Sequence, residues 1–239
     1  MEALILAAGR GTRLGLDCPK CLVDVGGRPV IHHQLEALYG AGVERVVVVA
    51  GYQIRRVRRA LPADAVVVPN RLYAETNSLY SFWLARGEVG DEVLVLNSDV
   101  LFPALLADLL ARWQGSALAY DSSSGDDEEH MKVAVRSGAL EAMSKSLPAG
   151  RTAGENVGSI RLSGEATASA FAAAHRLVAA GRSRDWLASA IERAAGAHRF
   201  QCLDVAGLPW VEIDFPEDLA YARETVAPAI ERLEAVAAA

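Results

Sequence analysis

The first half of the chain alternates short apolar runs with amphipathic stretches of helical length. Residues 3–8 are apolar throughout and end at Gly9, and residues 45–50 (Arg-Val-Val-Val-Val-Ala) are apolar after the first position. Continuous apolar runs of this length are typical of strands buried on both faces of a sheet, and strands that alternate with helices indicate βαβ units. The predicted strands are residues 3–8, 45–50, 65–68 and 92–96, and the predicted helices are residues 30–39, 55–61, 77–86 and 103–113.

The second half has a less regular pattern. A strand is followed by a polar, acidic loop, and a Ser-Gly pair at residues 137 and 138 then separates two apolar runs. Such a pair between apolar runs is typical of a β-hairpin turn. The predicted strands are residues 116–120, 131–135, 140–144, 156–162, 200–205 and 210–213, and the predicted helices are residues 165–180, 185–195 and 216–236.

These elements predict an α/β fold with a Rossmann-like, mixed and mostly parallel sheet that has helices on both faces. We expect residues 1–239 to form one domain, because no linker or repeat interrupts them. Within that domain, residues 1–121 and 122–239 differ in pattern, and we expect them to form two halves, of which the second is the smaller. Sheets of this kind bind ligands at the carboxyl ends of their strands. The residues that follow each strand are therefore the candidates for a binding site.

Composition narrows the range of partners. The chain has 239 residues, 51% of them hydrophobic, which is enough for a sizeable core. Its 24 basic and 30 acidic residues give a net charge of −6, and an acidic chain binds the nucleic-acid backbone poorly. The apolar runs are too short to span a bilayer or to serve as a secretory signal. We therefore expect a cytoplasmic protein that binds neither nucleic acid nor membranes.

A glycine-rich loop follows the first strand and is the strongest chemical signal. Residues 6–14 read Leu-Ala-Ala-Gly-Arg-Gly-Thr-Arg-Leu, and Pro-Lys follows at residues 19 and 20. Glycine lets backbone N–H groups approach phosphate oxygens without a Cβ in the way. Arg13 and Lys20 add positive charge suited to a triphosphate. A dinucleotide-binding motif would need a third glycine where Leu14 stands, and a Walker loop would need Gly-Lys-Ser/Thr.

Two aspartates follow predicted strands far apart in the sequence. Asp99 comes just after residues 92–96, and Asp214 comes just after residues 210–213. Mg²⁺ in proteins often takes one or two carboxylates together with substrate phosphates, so the two side chains can converge on one ion. Asp214 also precedes Pro216-Glu217, a position that suits a helix N-cap. The residues alone leave both interpretations of Asp214 open.

The glycine-rich loop with its following Pro-Lys resembles the N-terminal motif of the sugar-nucleotidyltransferase superfamily. The resemblance implies that Asp99 and Asp214 bind Mg²⁺ and that Lys20, with Arg13, stabilises charge at the α-phosphate. It implies two further sets of contacts, one to the base and ribose and one to the triphosphate. The first set is Leu6, Ala7, Ala8 and Gly9, and the second is Gly11, Thr12, Arg13 and Lys20.

Within this superfamily, nearly the whole chain is similar to bacterial phosphocholine and phosphonate cytidylyltransferases. The likeness is carried by residues 70–81 (Asn-x-x-Tyr-x-x-Thr-Asn-Ser-Leu-Tyr-Ser), by Met-Lys-Val at 131–133 and by Glu-Ile-Asp at 212–214. Gly-Glu-x-x-Gly at residues 154–158 adds to it. The resemblance implies one group of residues around cytidine and another around the acceptor. The cytidine group is Gly51, Tyr52, Asn77 and Ser78, and the acceptor group is Lys132, Glu155 and Glu212.

One stretch departs from the family pattern. In the related enzymes, a helix of the last third begins with aromatic residues and then Glu-Asp, close to a cationic headgroup. Here Ala188 and Ser189 stand where those acids would fall. Because a quaternary ammonium needs an aromatic cage or carboxylates, we expect phosphocholine to be a weak acceptor. The acidic loop at residues 126–129 is the alternative site for a cationic headgroup.

The resemblance implies an Mg²⁺-dependent transfer from CTP to a small phosphorylated or phosphonylated acceptor, with pyrophosphate leaving. We expect the loop that carries Lys20 to face solvent. Residues 1–121 are expected to form the nucleotide-binding half of the domain, and residues 122–239 the smaller, acceptor-binding half. Two alternatives stay open. One is a uridylyl-, thymidylyl- or guanylyltransferase acting on a sugar 1-phosphate, and the other is a catalytically silent subunit that senses nucleotides. The sequence does not set the oligomeric state, and a homodimer is one alternative.

Overall fold

The computed structural model describes residues 1–125 and 129–237, and a nine-stranded mixed sheet forms the centre of this part of the chain. The sheet order is β5-β4-β1-β6-β11-β8-β12-β10-β9. These strands are β1 (Glu2–Ala7), β4 (Arg45–Ala50), β5 (Val66–Pro69), β6 (Glu92–Asn97), β8 (Ser116–Asp121), β9 (Lys132–Arg136), β10 (Ala139–Ser144), β11 (Gly154–Ser163) and β12 (Phe200–Asp204). Two small antiparallel pairs lie outside the sheet: β2 (Asp24–Val25) with β3 (Arg28–Pro29), and β7 (Val100–Leu101) with β13 (Val211–Glu212).

Helices cover both faces of the sheet, as the sequence predicts. One face packs against α3, α5 and α6, and the other packs against α1, α2 and α4. A third cluster joins α7 and α8 to the β2–β3 pair. The helices are α1 (Val30–Gly40), α2 (Ile54–Ala60), α3 (Ser78–Leu84), α4 (Ala104–Arg112), α5 (Glu165–Ala179), α6 (Ala188–Ala195), α7 (Pro216–Tyr221) and α8 (Ala227–Ala237).

The apolar runs of the first half form parallel strands that are buried on both faces. In β1, Leu4 packs into the cluster with α3, whereas Ile5 packs into the cluster with α1, and neither side chain is exposed. Successive side chains of a strand point to opposite faces, so a strand covered on both sides needs apolar residues at every position. This confirms the prediction of a mostly parallel α/β sheet from the apolar runs.

Two strands run against the common direction and complete the sheet in the second half. β11 lies between β6 and β8 and is antiparallel to both, and β10 is antiparallel to β9 and β12. The predicted hairpin is confirmed, with Ser137 (φ 51°) and Gly138 (φ 75°) at its turn. Positive φ at both central residues gives a turn whose twist matches that of the flanking strands.

The C-terminal helix predicted at residues 216–236 is confirmed, with one irregularity. α7 is followed without a break by a π-helical turn at Ala222–Val226 and then by α8, and the residues at both junctions keep helical backbone angles. Pro228 lies at the start of α8, and a proline there has no amide hydrogen to donate to the carbonyl of Glu224 one turn earlier. A π turn is one way in which a helix accommodates such a missing hydrogen bond.

Exposed features of the described residues agree with the composition. The four arginines of α2 lie in solvent around the buried Val57, as expected for a solvated helix face. Within residues 1–125 and 129–237, no helix has the length and apolar character needed to cross a membrane.

Candidate active site

A cleft of about 330 Å³ opens at the carboxyl ends of β1 and β6. This is the edge at which the sequence predicts ligand binding, and the volume falls in the range of small-molecule sites. The lining contains residues of both halves of the chain. From the predicted nucleotide, catalytic, metal and acceptor sets it includes Leu6, Ala7, Ala8, Gly9, Gly11, Thr12, Arg13, Lys20, Asn77, Ser78, Asp99, Asp214 and, from the acceptor set, Glu212.

The glycine-rich loop wraps closely around Lys20. Gly11 has a φ of 64°, and Leu14 N–H donates to its carbonyl oxygen at 3.2 Å to form a 3₁₀ turn at Thr12–Leu14. A Cβ at Gly11 would lie 2.6 Å from Cγ of Lys20. Glycine is therefore required twice at this position, once for its backbone conformation and once for the space that the lysine stem occupies.

Lys20 is held between two carboxylates. Its Nζ donates to Asp99 Oδ2 at 3.0 Å and also contacts Asp214 Oδ1. The side chain is only 14% exposed, whereas most of the loop at residues 9–17 is exposed, as the sequence predicts. Burial lowers the pKa of Lys20, but Asp99 and Asp214 raise it by more, and the net pKa lies above its usual value. The ammonium group thus stays charged at the base of the cleft.

A cluster of three carboxylates surrounds this lysine. One oxygen each from Asp99, Glu212 and Asp214 lies within 4.8 Å of the other two. The β7–β13 pair brings them together, because Glu212 is opposite Val100 and Ile213 N–H donates to the Asp99 carbonyl at 2.8 Å. The sequence predicts the convergence of the two aspartates, and the structure places them together.

The carboxylate cluster is short of positive charge. Burial, together with the nearby Asp99 and Asp214, raises the pKa of Glu212 to about 8. A set of hard oxygen ligands with excess negative charge is suited to a divalent cation such as Mg²⁺. Glu212 therefore belongs with the two aspartates in this cluster, although the family resemblance implies a role in acceptor binding.

Asp214 is not the cap of the helix that follows it. The carboxylate of Asp218 instead accepts hydrogen bonds from Asp214 N–H (3.0 Å) and Phe215 N–H (2.7 Å) at the start of α7. The Asp214 side chain turns to the cleft, where its second oxygen lies 3.2 Å from Arg13 Nη2. Of the two interpretations that the sequence leaves open, the N-cap is excluded by this geometry.

A second group of charges spans the mouth of the cleft. Oε2 of Glu129 accepts from Arg13 Nη1 at 2.8 Å and from Lys145 Nζ at 3.1 Å. Lys145 Nζ also lies 5.1 Å from the centroid of the Trp186 ring. All four side chains line the cleft. The rest of the predicted acidic loop, Asp126 to Glu128, lies outside the described residues.

Two of the residues expected around cytidine lie outside the cleft lining. Tyr52 N–H donates to the Ala8 carbonyl at 3.1 Å, and the Tyr52 hydroxyl contacts Asp17. A Cβ at Gly51 would lie 2.5 Å from Tyr73 Cβ and 2.8 Å from the Ala8 oxygen. Gly51 and Tyr52 therefore support the loop and the tyrosine that line the cleft, rather than lining it themselves.

The two acceptor residues on β9 and β11 also lie outside the lining. Lys132 and Glu155 are directly opposite each other in the β9–β11 pair, and both are buried. His130 Nδ1 lies 3.2 Å from a Glu155 oxygen. The structure thus places these two residues in a buried charged group of the second half, next to the described end of the acidic loop.

Several lining residues were missed by the sequence interpretation. Asn97, at the end of β6, donates to Glu212 at 3.4 Å and would contact a Cβ at Gly158. Lys145 follows β10 directly, so its place after a strand was an available signal. Trp186 lies two positions before Ala188, where the related enzymes have an acid. Its contact with Lys145 joins residues 41 positions apart, which no local pattern reveals.

Comparisons with known proteins agree with this architecture. Residues 3–199 match the MobA-like NTP transferase domain family. The CMP-5'-(3-aminopropyl)phosphonate synthase of Streptomyces rubellomurinus is 31% identical over 91% of this chain and 37% of its own length. The choline-phosphate cytidylyltransferase of Streptococcus pneumoniae is 33% identical over 47% of this chain and 51% of its own length. The chain thus spans about half or less of the length of these curated relatives.

The fold is shared with solved nucleotidyltransferase structures. The inositol-1-phosphate CTP transferase of T. maritima superposes with a TM-score of 0.79 at 22% identity, and covers 98% of this chain and 96% of its own. The match of 197 residues to the family, the sheet topology and the loop–lysine–carboxylate cleft support one conclusion. The chain belongs to the MobA-like NTP transferase domain family.

Proposed function

We propose that this nucleotidyltransferase transfers the cytidylyl group of CTP to a small phosphorylated or phosphonylated acceptor, with Mg²⁺. The observation that carries the proposal is the position of Lys20, held among Asp99, Glu212 and Asp214 beneath the glycine-rich loop. Phosphoryl-type transfer needs little covalent help from the protein, so positioning and charge neutralisation account for most of the catalysis. A largely buried lysine between a phosphate-binding loop and a carboxylate cluster supplies both the positioning and the charge neutralisation.

The residues of the chain have separate roles in this proposal. Backbone N–H groups of the loop at Gly11 and Thr12 hold the triphosphate, and Arg13 neutralises the leaving pyrophosphate. Lys20 donates to the α-phosphate oxygens, where negative charge develops. An oxygen of the acceptor forms a bond to the α-phosphorus of CTP while the bond to the bridging oxygen breaks, and pyrophosphate carries away the electron pair.

Asp99, Glu212 and Asp214 would hold the Mg²⁺ ion. Their donor set fits the ion, because all three offer carboxylate oxygens and the group lacks positive charge of its own. When bound, the ion supplies further neutralisation of the phosphate oxygens. The choice of CTP is supported by relatives and fold neighbours whose names specify cytidylyl chemistry.

A panel of nucleotides tests the proposal. Thermal denaturation is followed with CTP, UTP, GTP, ATP and dTTP, each with Mg²⁺ and again with a chelator. Saturation at about 100 times Kd stabilises a protein by about 2.7 kcal/mol, which corresponds to a rise in Tm of roughly 5–10 °C at this size. We expect that rise for CTP with Mg²⁺, and pyrophosphate release once a phosphonate acceptor is added. A larger rise with UTP, GTP or dTTP would instead support the sugar 1-phosphate alternative.

A further inference from the structure

Lys145 is a cation of the cleft that the proposed chemistry does not use. Among the described lining residues, Lys20 belongs to the carboxylate cluster and Arg13 to the glycine-rich loop, whereas Lys145 follows β10 on the opposite wall. Its ammonium group lies over the Trp186 ring, and its side chain is 29% exposed. It therefore faces the part of the cleft that the nucleotide loop leaves open.

The surroundings of Lys145 and Trp186 are braced. Leu187 N–H donates to Ser78 Oγ at 2.9 Å, which fixes the segment before α6 against the start of α3. Met143 N–H donates to Glu192 Oε1 at 2.8 Å, which fixes β10 against α6. β10 is bonded to α6, and the segment that carries Trp186 leads into α6. The lysine–tryptophan contact is therefore part of the architecture of the cleft wall.

Lys145 already occupies the face of the Trp186 ring at which a cationic ligand would bind. A ligand ammonium gains from an aromatic ring only where it can reach the ring face, and Lys145 lies over that face in this protein. Leu187 and Ala188, the lining residues that follow Trp186, offer no carboxylate. The carboxylates among the described lining residues are the three-membered cluster and Glu129, which binds Arg13 and Lys145.

The contacts of Glu129 indicate which kind of ligand can bind beside Lys145. A single oxygen of its carboxylate takes hydrogen bonds from two cations that come from opposite walls of the cleft. Charge-assisted hydrogen bonds of this kind are the stronger ones, and Glu129 is more than half exposed, so its place can be taken by a ligand. A carboxylate of the acceptor would find Lys145 in the same way, while Arg13 turns to the pyrophosphate.

We propose that Lys145, supported by Trp186, selects an acceptor that carries a second anionic group, of the carboxylate class, remote from its reacting phosphonate or phosphate. The inference rests on the proposed function, because it names the class of acceptor for the same cleft. In the resting protein Glu129 occupies the position, and the acceptor carboxylate replaces it. The acceptor preference of this chain then differs from that of relatives named for aminoalkyl or choline acceptors.

The test uses three-carbon phosphonates that differ only at the far end. These are 3-phosphonopropionate, 3-hydroxypropylphosphonate and 3-aminopropylphosphonate. We expect kcat/KM, measured by pyrophosphate release from CTP, to be at least tenfold higher for the carboxylate than for the amine. Lys145→Met keeps an apolar stem on Trp186 but removes the charge. It should lower kcat/KM for the carboxylate by tenfold or more, mainly through KM, and change the hydroxyl compound by less than about threefold.

Two further variants control the experiment. Lys145→Arg keeps the charge and should keep the preference. Arg86→Met removes a comparable cation–π contact outside the cleft lining, where Arg86 lies 4.0 Å from the Trp83 ring centroid, and should leave the ranking of acceptors unchanged. A wild-type preference for the amine, or an unchanged ranking in a folded Lys145→Met protein, overturns the inference.

Calorimetric titration of each phosphonate separates this inference from the proposed function. If no acceptor releases pyrophosphate but 3-phosphonopropionate binds more tightly than the other two, and Lys145→Met removes that difference, the proposed reaction fails and the anion site stands. If pyrophosphate is released but neither turnover nor binding depends on the charge at residue 145, the reaction stands and the anion site fails.

Discussion

Replacing Lys20 by methionine should separate catalysis from fold stability, because this side chain serves both. At 3.0 Å and an effective dielectric constant of ~20, the attraction between Lys20 and Asp99 is about 5 kcal/mol before desolvation is subtracted. Removing one partner of a partly buried pair leaves the carboxylates without their cation. We expect a loss of free energy of unfolding on the order of 2–4 kcal/mol. For a chain of this size, that corresponds to a fall in Tm of roughly 5–15 °C.

The same substitution should lower turnover by about 10²–10³-fold, which is typical for the loss of one electrostatic contact to the transition state. Mg²⁺ gives a readout that does not depend on activity. Because Asp99, Glu212 and Asp214 lose their internal cation in Lys20→Met, added Mg²⁺ should raise the Tm of the variant by more than that of the wild type. Thermal denaturation with and without the ion, and a pyrophosphate-release assay, measure these quantities.

Arg86→Met is a suitable control, since it removes a cation from the surface and should shift Tm by no more than about 2 °C. If Lys20→Met folds with an unchanged Tm and near-normal pyrophosphate release, the ammonium group neither balances the carboxylates nor assists the transfer. If the Tm of Lys20→Met is lowered and added Mg²⁺ does not raise it, the cluster holds no divalent ion.

Two other predictions concern neighbouring residues. Asp214→Asn should abolish metal-dependent turnover and retain the fold, whereas Asp218→Ala should retain turnover and lower stability by about 1 kcal/mol, the usual cost of a lost helix cap. Comparing kcat and Tm for this pair checks both roles, and equal losses of turnover would contradict them. Gly11→Ala should reduce kcat by at least tenfold in steady-state assays, because its Cβ would lie 2.6 Å from Cγ of Lys20. Normal kcat in that variant would show that the lysine has room to move.

The sequence predicts the sheet and the glycine-rich loop well because both depend on patterns within short segments of the chain. The run at residues 45–50 is apolar at every position after Arg45, as a strand covered on two sides requires, and it forms β4 as predicted. The convergence of Asp99 and Asp214 follows from a general property of parallel sheets. These parts of the site depend on strand ends, which the pattern locates to within a few residues.

What the sequence could not supply depends on contacts between distant segments. The loop sequence around Lys20 does not show what its side chain contacts, because its partners are carboxylates that lie 79 and 194 positions away. The capping of α7 by Asp218 in place of Asp214 is a choice between two acids near one helix start, which composition does not distinguish. The pKa of Glu212 is raised first by burial and then by Asp99 and Asp214, and these conditions arise only in the folded chain. Each of these is a tertiary effect.

The position of β11 in the sheet has a consequence for biosynthesis. β6 leaves the ribosome long before its neighbour β11, and β11 must insert between β6 and β8 with opposite direction. At roughly 5–20 residues per second, several seconds pass while the open edge of β6 has no partner. Pairings so distant along the chain form slowly, because the intervening loop must be closed first. β1 lies on one side of β6, but the other edge of β6 stays open while the residues between Asn97 and Gly154 are made, and this interval is when chaperone binding would matter most.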